Sequence, residues 1–300
     1  MELTSYQIIE RSTAEFDEED VFYLGDACSE QTALFRLLSG SCDIYSKIQE
    51  QQVSASNNFF FSDIIENTDG NLSFLNDFEE GIELTDYQAF MAANRFRNRA
   101  FYKNILNEMV AAVYHYENGN HTAAFVHLYR TYEHISYAFP MIYSSKTDDY
   151  IRTFENLRNW MTDSKSDSNV GELRFHKSFV ATMFKDTPEL ASTIDIEIVS
   201  TPEYQEIIFD TLTKKVLGWK SPDKFTSATI QPSKIAVNFS EFHSFIVTLR
   251  NRFFHYSNAR SDNIKIEEIL DSNFLFSLVN GSIIYFISTI FHGVVKHNMS

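Results

Sequence analysis

Three hundred residues with 28 Phe, 15 Tyr and 44 % hydrophobic content can bury one large core or two smaller ones. Nine Gly and five Pro exclude a loop-rich sandwich or a low-complexity chain, so a folded, mainly helical protein is expected. A formal charge of −16, from 25 Lys+Arg against 41 Asp+Glu, excludes nucleic-acid binding over the general surface and confines any polynucleotide to a local basic site.

Residues 1 to 84 mix acidic runs such as EFDEED with short apolar pieces and one helix at about 29 to 50, and read as an N-terminal extension. Cys28 and Cys42, the two cysteines, show no CxxC pair and no disulfide-style spacing. Together with the lack of a cationic, apolar leader, this predicts a reduced, cytoplasmic protein.

A longer domain is expected over 85–300. Thr85 and Asp86 are candidate N-caps for a helix from about 87 to 118, in which Phe101, Ile105, Met109, Val113 and Tyr116 recur at three- or four-residue steps and Gly119 supplies the stop. Phe125, Leu128, Tyr129, Tyr132, Ile135 and Phe139 mark a second helix over 121–139, with Asn120 at its start and Pro140 at its end. So short a connection predicts an αα-hairpin. Residues 144–236 are more polar and broken, with helices expected near 150–162, 171–184 and 202–218 and a β-prone run STIDIEIV. They read as an insertion or side layer.

Two further helices follow, near 239–257 and 273–297. From Ser272 to Val295 no charge occurs, which meets the crude length criterion for a membrane span. Asn273, Asn280, Gly281, His292 and a single basic flank at Lys296 favour a buried helix and no membrane. With the insertion set aside, the pattern is an all-α, four-helix bundle interrupted between its second and third members.

The local basic site lies in the third of these helices. Residues 241–260 hold Arg250, Arg252 and Arg260 against Glu241 alone, within the run TLRNRFFHYSNAR. On a continuous helix Arg250 and His255 project about 140° apart with about 7.5 Å of rise, so they converge only if the helix ends near His255. Histidine can take and return a proton near neutrality, and an arginine fork stabilises charge on phosphoryl oxygens. The pair therefore suits phosphodiester cleavage without a metal, with the ribose 2′-OH of RNA as nucleophile. The nine histidines show no metal-ligand spacing; His127 and His134, two turns apart, are about 10 Å apart in rise, so neither a metal nor a cofactor is expected. The segment RFRNRAFYK at 95–103 nearly echoes the basic run but carries Tyr102 where the later copy has His255, and reads as a solvated arginine cluster. Tyr129, Arg130, Tyr132, Glu133 and His134 form a polar-aromatic patch whose tyrosines are expected in the core.

Arg250-Asn251-x-x-x-His255, on the third helix of an interrupted bundle and ahead of a long apolar fourth helix, resembles the HEPN ribonuclease superfamily over residues 90–143 and 237–299. The resemblance implies a homodimer that brings two motifs into one cleft and cuts RNA, transfer RNA among its targets, to leave 2′,3′-cyclic phosphate and 5′-hydroxyl ends. It implies His255 as the acid/base group, Arg250 as the phosphate clamp and Asn251 as the residue that orients them. Arg252, Arg260 and Tyr256 are the expected RNA contacts, and an antitoxin or activating partner is implied for a toxin or phage-defence effector. Tyr256 follows His255 directly, which departs from the His-x-Tyr of toxins paired with a nucleotidyltransferase. A noncatalytic HEPN-like module that binds nucleotide, RNA or protein is the alternative reading.

Overall fold

The computed structural model describes residues 1–11, 16–66, 83–161, 172–218, 233–255 and 263–299. The chain is mainly helical with small sheets, and its contacts divide it into a first unit, Met1–Thr131, and a second, Tyr132–Asn298. This division falls inside a helix, where the sequence suggested one at 84/85.

In the first unit, β1 (Tyr6–Glu10), α1 (Glu30–Leu38), β2 (Cys42–Ser46) and β3 (Gln51–Ala55) precede two short strands, β4 (Asn57–Asn58) and β5 (Ile65–Glu66). The first three strands form an antiparallel meander in which Ile8, Ile44 and Val53 lie in register. The helix expected over 29–50 stops at Leu38, because Gly40 adopts φ +69° and turns the chain into the β-prone run CDIYS. A Cβ at Gly40 would meet the Ser56 carbonyl oxygen at 2.5 Å, so glycine is required there twice over. The start of α1 follows expectation in kind: Ser29 accepts from the Thr32 amide at 3.0 Å.

Inside this unit lies a fully buried arginine. Arg36 donates to the Glu10 carboxylate at 2.6 Å, to the Phe22 carbonyl at 2.6 Å and to Ser41 Oγ at 2.7 Å, and also bonds the Ser41 carbonyl. Its guanidinium also faces the Phe16 ring. Burial pushes the thiols of Cys28 and Cys42 up to about 12, so both are protonated near neutrality and poor nucleophiles.

The single helix expected over 87–118 is two helices, α2 (Leu84–Asn94) and α3 (Arg99–Glu117). Glu83 is the N-cap of α2, and Asp86 accepts from the Glu83 amide at 2.9 Å, so Asp86 acts three residues inside the helix instead of capping it. The break has a backbone cause: Asn98 sits at φ +54°, which interrupts the helical ladder, and residues 95–100 are all exposed, with no apolar anchor to carry the helix across. Beyond it, Tyr102, Ile105, Leu106, Met109, Val110 and Val113 turn inward towards α1 and β3. Gly119, at φ +71°, stops α3 as expected, with the Asn120 amide reaching back to the His115 carbonyl at 2.8 Å.

Helix α4 (His121–Ser145) runs through Pro140, where an end was expected. Proline removes one backbone bond inside a helix, but packing on both sides of it holds the last turn: Phe139 before it meets Phe291, and Tyr143 beyond it packs on Trp160, Phe179 and His297.

The second unit continues with α5 (Tyr150–Met161), α6 (Glu172–Met183), α7 (Pro188–Ala191), β6 (Thr193–Glu197) and α8 (Pro202–Thr211), which ends in a π turn at Leu212–Val216. Strand β7 (Lys234–Asn238) pairs antiparallel with β6 and leads directly into α9 (Phe239–Phe254); a 3₁₀ turn at Ile266–Glu268 precedes α10 (Ser272–Met299). The described parts of 144–236 contribute buried side chains to the second unit. Trp160, Phe179, Ile194, Ile196 and Leu212 are all buried, because their helices and strand are amphipathic even though the links between them are polar. Helix α10 is long and apolar enough to cross a membrane, yet 67 % of its most apolar window is buried within the chain, as in a core helix. Phe286 meets Phe239, Phe242 and Tyr132 at ring-centroid distances of 5.1, 5.2 and 6.2 Å.

Candidate functional site

Helix α9 buries Phe239, Phe242, His243, Phe245, Ile246 and Leu249, at successive steps of one to three residues. Arg250 follows the last of these by about 100° of rotation and so leaves the core face half-buried. Phe253 and Phe254 then fix the end of the helix against Phe276 of α10, at 5.0 and 6.0 Å between ring centroids. One residue later the helix ends. His255 is its C-cap at φ −97°, ψ 69°, outside helical geometry, and its side chain is exposed.

That exit closes the angular gap between the two residues. The Arg250 guanidinium contacts His255 Nε2 and also donates from Nη1 to Asn251 Oδ1 at 3.1 Å. Arg250, Asn251 and His255 thus converge as expected. Arg252 is half-buried, and its carbonyl accepts from the Ile264 amide at 2.9 Å. Lys215 of the π turn donates to the Asn263 carbonyl at 2.6 Å and pairs with Glu268. Tyr256 and Arg260 lie outside the described residues.

The patch on α4 divides between core and surface. Tyr129 and Tyr132 are buried, Glu133 and His134 are exposed, and Arg130 pairs with Glu108 at 2.7 Å. His127 bonds the same carboxylate at 2.8 Å and stacks on His115.

A buried polar cluster escaped the sequence reading. The Tyr132 hydroxyl hydrogen-bonds His176 Nδ1 at 2.9 Å and also His243 Nδ1, in a setting where Tyr132 and His176 are fully buried and His243 is 5 % exposed. One hydroxyl proton cannot serve both rings as donor. His176 Nε2 is buried without a hydrogen-bond partner, and a lone pair costs less there than an N–H. The proton on His176 therefore belongs on Nδ1, so Tyr132 accepts from His176 and donates to His243. The sequence signal for this cluster was weak, since each histidine stands alone on an apolar face.

Burial holds both imidazoles neutral. It lowers His243 to about 3, with nearby Lys177 adding in the same direction, and drives His176 well below its ordinary value, with His243 adding. As pH falls from 6.5 towards 3, the unfolded chain takes up a proton at His243 that the folded chain refuses, and stability is lost. At pH 5 the loss from His243 alone is expected to be about 2 kcal/mol, with His176 adding to it. Urea unfolding at pH 7 and pH 5 measures it; equal midpoints for wild type would refute this account, and His243→Phe should reduce the pH dependence.

Comparison with protein-family models, with curated proteins and with solved structures finds no match.

Proposed function

We propose that the chain is a metal-independent endoribonuclease of the HEPN type, working in the cytoplasm as a toxin or antiviral defence effector. The observation that carries this reading is the contact between Arg250 and His255 at an exposed helix end, in a stretch where a negative chain turns locally positive. An RNA phosphate entering there competes for the guanidinium and frees Nε2 as a base. His255 removes the 2′-OH proton, the 2′ oxygen attacks phosphorus, and the P–O5′ bond breaks. The 5′ oxygen leaves with a proton returned by an imidazolium, and the 2′,3′-cyclic phosphate remains. Arg250 holds the equatorial oxygens as charge builds, with Asn251 orienting the fork. A homodimer that pairs two copies of the motif supplies a second histidine for the return step, and Arg252, Tyr256 and Arg260 extend the contact to RNA. Transfer RNA is the favoured target, and an antitoxin or activating partner controls the enzyme.

Incubation of the purified protein with total RNA in EDTA tests the reading. Upstream fragments with cyclic-phosphate 3′ ends, and downstream fragments whose 5′-OH accepts a label, are the expected result. Uncut RNA that nevertheless binds the protein would replace the enzyme by a binding module, and 3′-OH ends would discard the mechanism.

A further inference from the structure

The break between α2 and α3 places an unusual surface on the first unit. Residues 92–107 contain Arg95, Arg97, Arg99 and Lys103 and no acid, in a chain of net charge −16. Phe96 stands among them 67 % exposed, one of the largest exposures of any aromatic ring in the described residues. Its ring is backed by the Arg95 guanidinium, whose carbon lies 4.7 Å from the ring centroid, and Arg95 is itself held by a 3.0 Å hydrogen bond to the Ala27 carbonyl. Arg99 is anchored at 2.9 Å to the 4 % exposed Glu30 carboxylate, which ties the start of α3 to α1. Asn98, at φ +54°, fixes the turn that presents the ring.

We propose that this turn binds single-stranded RNA, with Phe96 as a stacking platform for one base and Arg97, Lys103 and Arg95 as contacts to flanking phosphates. A solvent-facing ring backed by a guanidinium presents a π face that any base can cover, and the cations that flank it in the chain offer charge to the neighbouring phosphates. An acidic protein partner would use the same cations but gains little from an exposed, flat ring. Glu18, Glu19 and Asp20 share a cavity of about 280 Å³ with Arg95, and Glu2, Asp26 and Glu30 share a second with Arg99 and Lys103, so nearby acids temper both Arg95 and Lys103 as phosphate contacts. This site does not rest on cleavage at His255.

The test uses a fluorescent 20-nucleotide 2′-O-methyl RNA, which lacks the nucleophile and cannot be cut by 2′-OH attack, and reads Kd by anisotropy from 50 to 200 mM salt. Phe96→Ala is expected to weaken binding about five- to hundredfold, and Phe96→Trp to restore it. Arg97→Glu with Lys103→Glu should weaken it further and flatten the salt dependence by about 0.7 in log–log slope for each phosphate contact removed. Phe96 is exposed, so the Ala and Trp variants decide the matter even if the charge reversals perturb folding. Wild-type affinity in Phe96→Ala, no binding at 50 mM salt, or competition by polyglutamate as effective as by oligonucleotide would each overturn the proposal.

Discussion

Arg36→Ala is expected to lower the free energy of unfolding by about 3–5 kcal/mol, a large share of a domain's total stability. The side chain is fully buried and satisfies Glu10, the Phe22 carbonyl and both oxygens of Ser41. Truncation leaves a carboxylate, itself largely out of water, facing two carbonyls with no cation among them, and opens a cavity under Phe16 and Phe22. The cost is therefore that of orphaned partners and a void, more than the net worth of one ion pair. Arg36→Lys separates the terms: it keeps the charge, but the donors of a single nitrogen cannot span the four acceptors that the guanidinium fork reaches, and it should recover less than half of the loss. Arg36→Met with Glu10→Leu removes both charges and should be more stable than Arg36→Ala alone. Guanidinium unfolding followed by circular dichroism measures all three. An Arg36→Ala midpoint indistinguishable from wild type would show that this network contributes nothing to the fold.

The sequence made some of this architecture legible and hid the rest for physical reasons. Helices α9 and α10 were placed to within a few residues, since each has a long apolar pattern and a polar break at its end. The convergence of Arg250 with His255 was legible as a condition, that the helix end near His255, and Phe253 and Phe254 meet that condition by anchoring on Phe276. Pro140 misled because a local penalty was weighed without the aromatic contacts of Tyr143, which only the fold brings together. Asn98 misled in the opposite sense, since periodicity in Phe101 and Ile105 continued past a left-handed residue that no pattern announces. The helix expected to reach residue 50 failed at Gly40, whose backbone conformation outweighed the surrounding apolar count. The histidine pair on Tyr132 left only a weak trace in sequence, because residues 132, 176 and 243 share neither spacing nor motif and meet only in three dimensions. Residues 144–236 were undervalued because composition averages polar links with the buried faces of Trp160 and Phe179.

His255→Ala is expected to reduce RNA cleavage by about 10²–10⁴-fold, the range for loss of a positioned acid/base group, and Arg250→Ala by about 10²–10³-fold. His255 is exposed at the end of α9 and Arg250 is half-buried, turned off the core face that Leu249 and the aromatics fill, so unfolding free energies should stay within about 0.5 kcal/mol of wild type for His255→Ala and about 1 kcal/mol for Arg250→Ala. That separation of activity from stability is the signature of a site, and thermal unfolding alongside cleavage measures it. Arg250→Lys should restore little, because an ammonium cannot span Asn251 and a phosphate at once as the guanidinium fork can. The double variant should be no worse than the poorer single variant, since the base and the clamp act on one transition state. Additive losses would instead assign the two residues to independent tasks. Full activity in His255→Ala with a loss confined to Arg250→Ala would leave Arg250 as an RNA anchor and send the search for the base elsewhere.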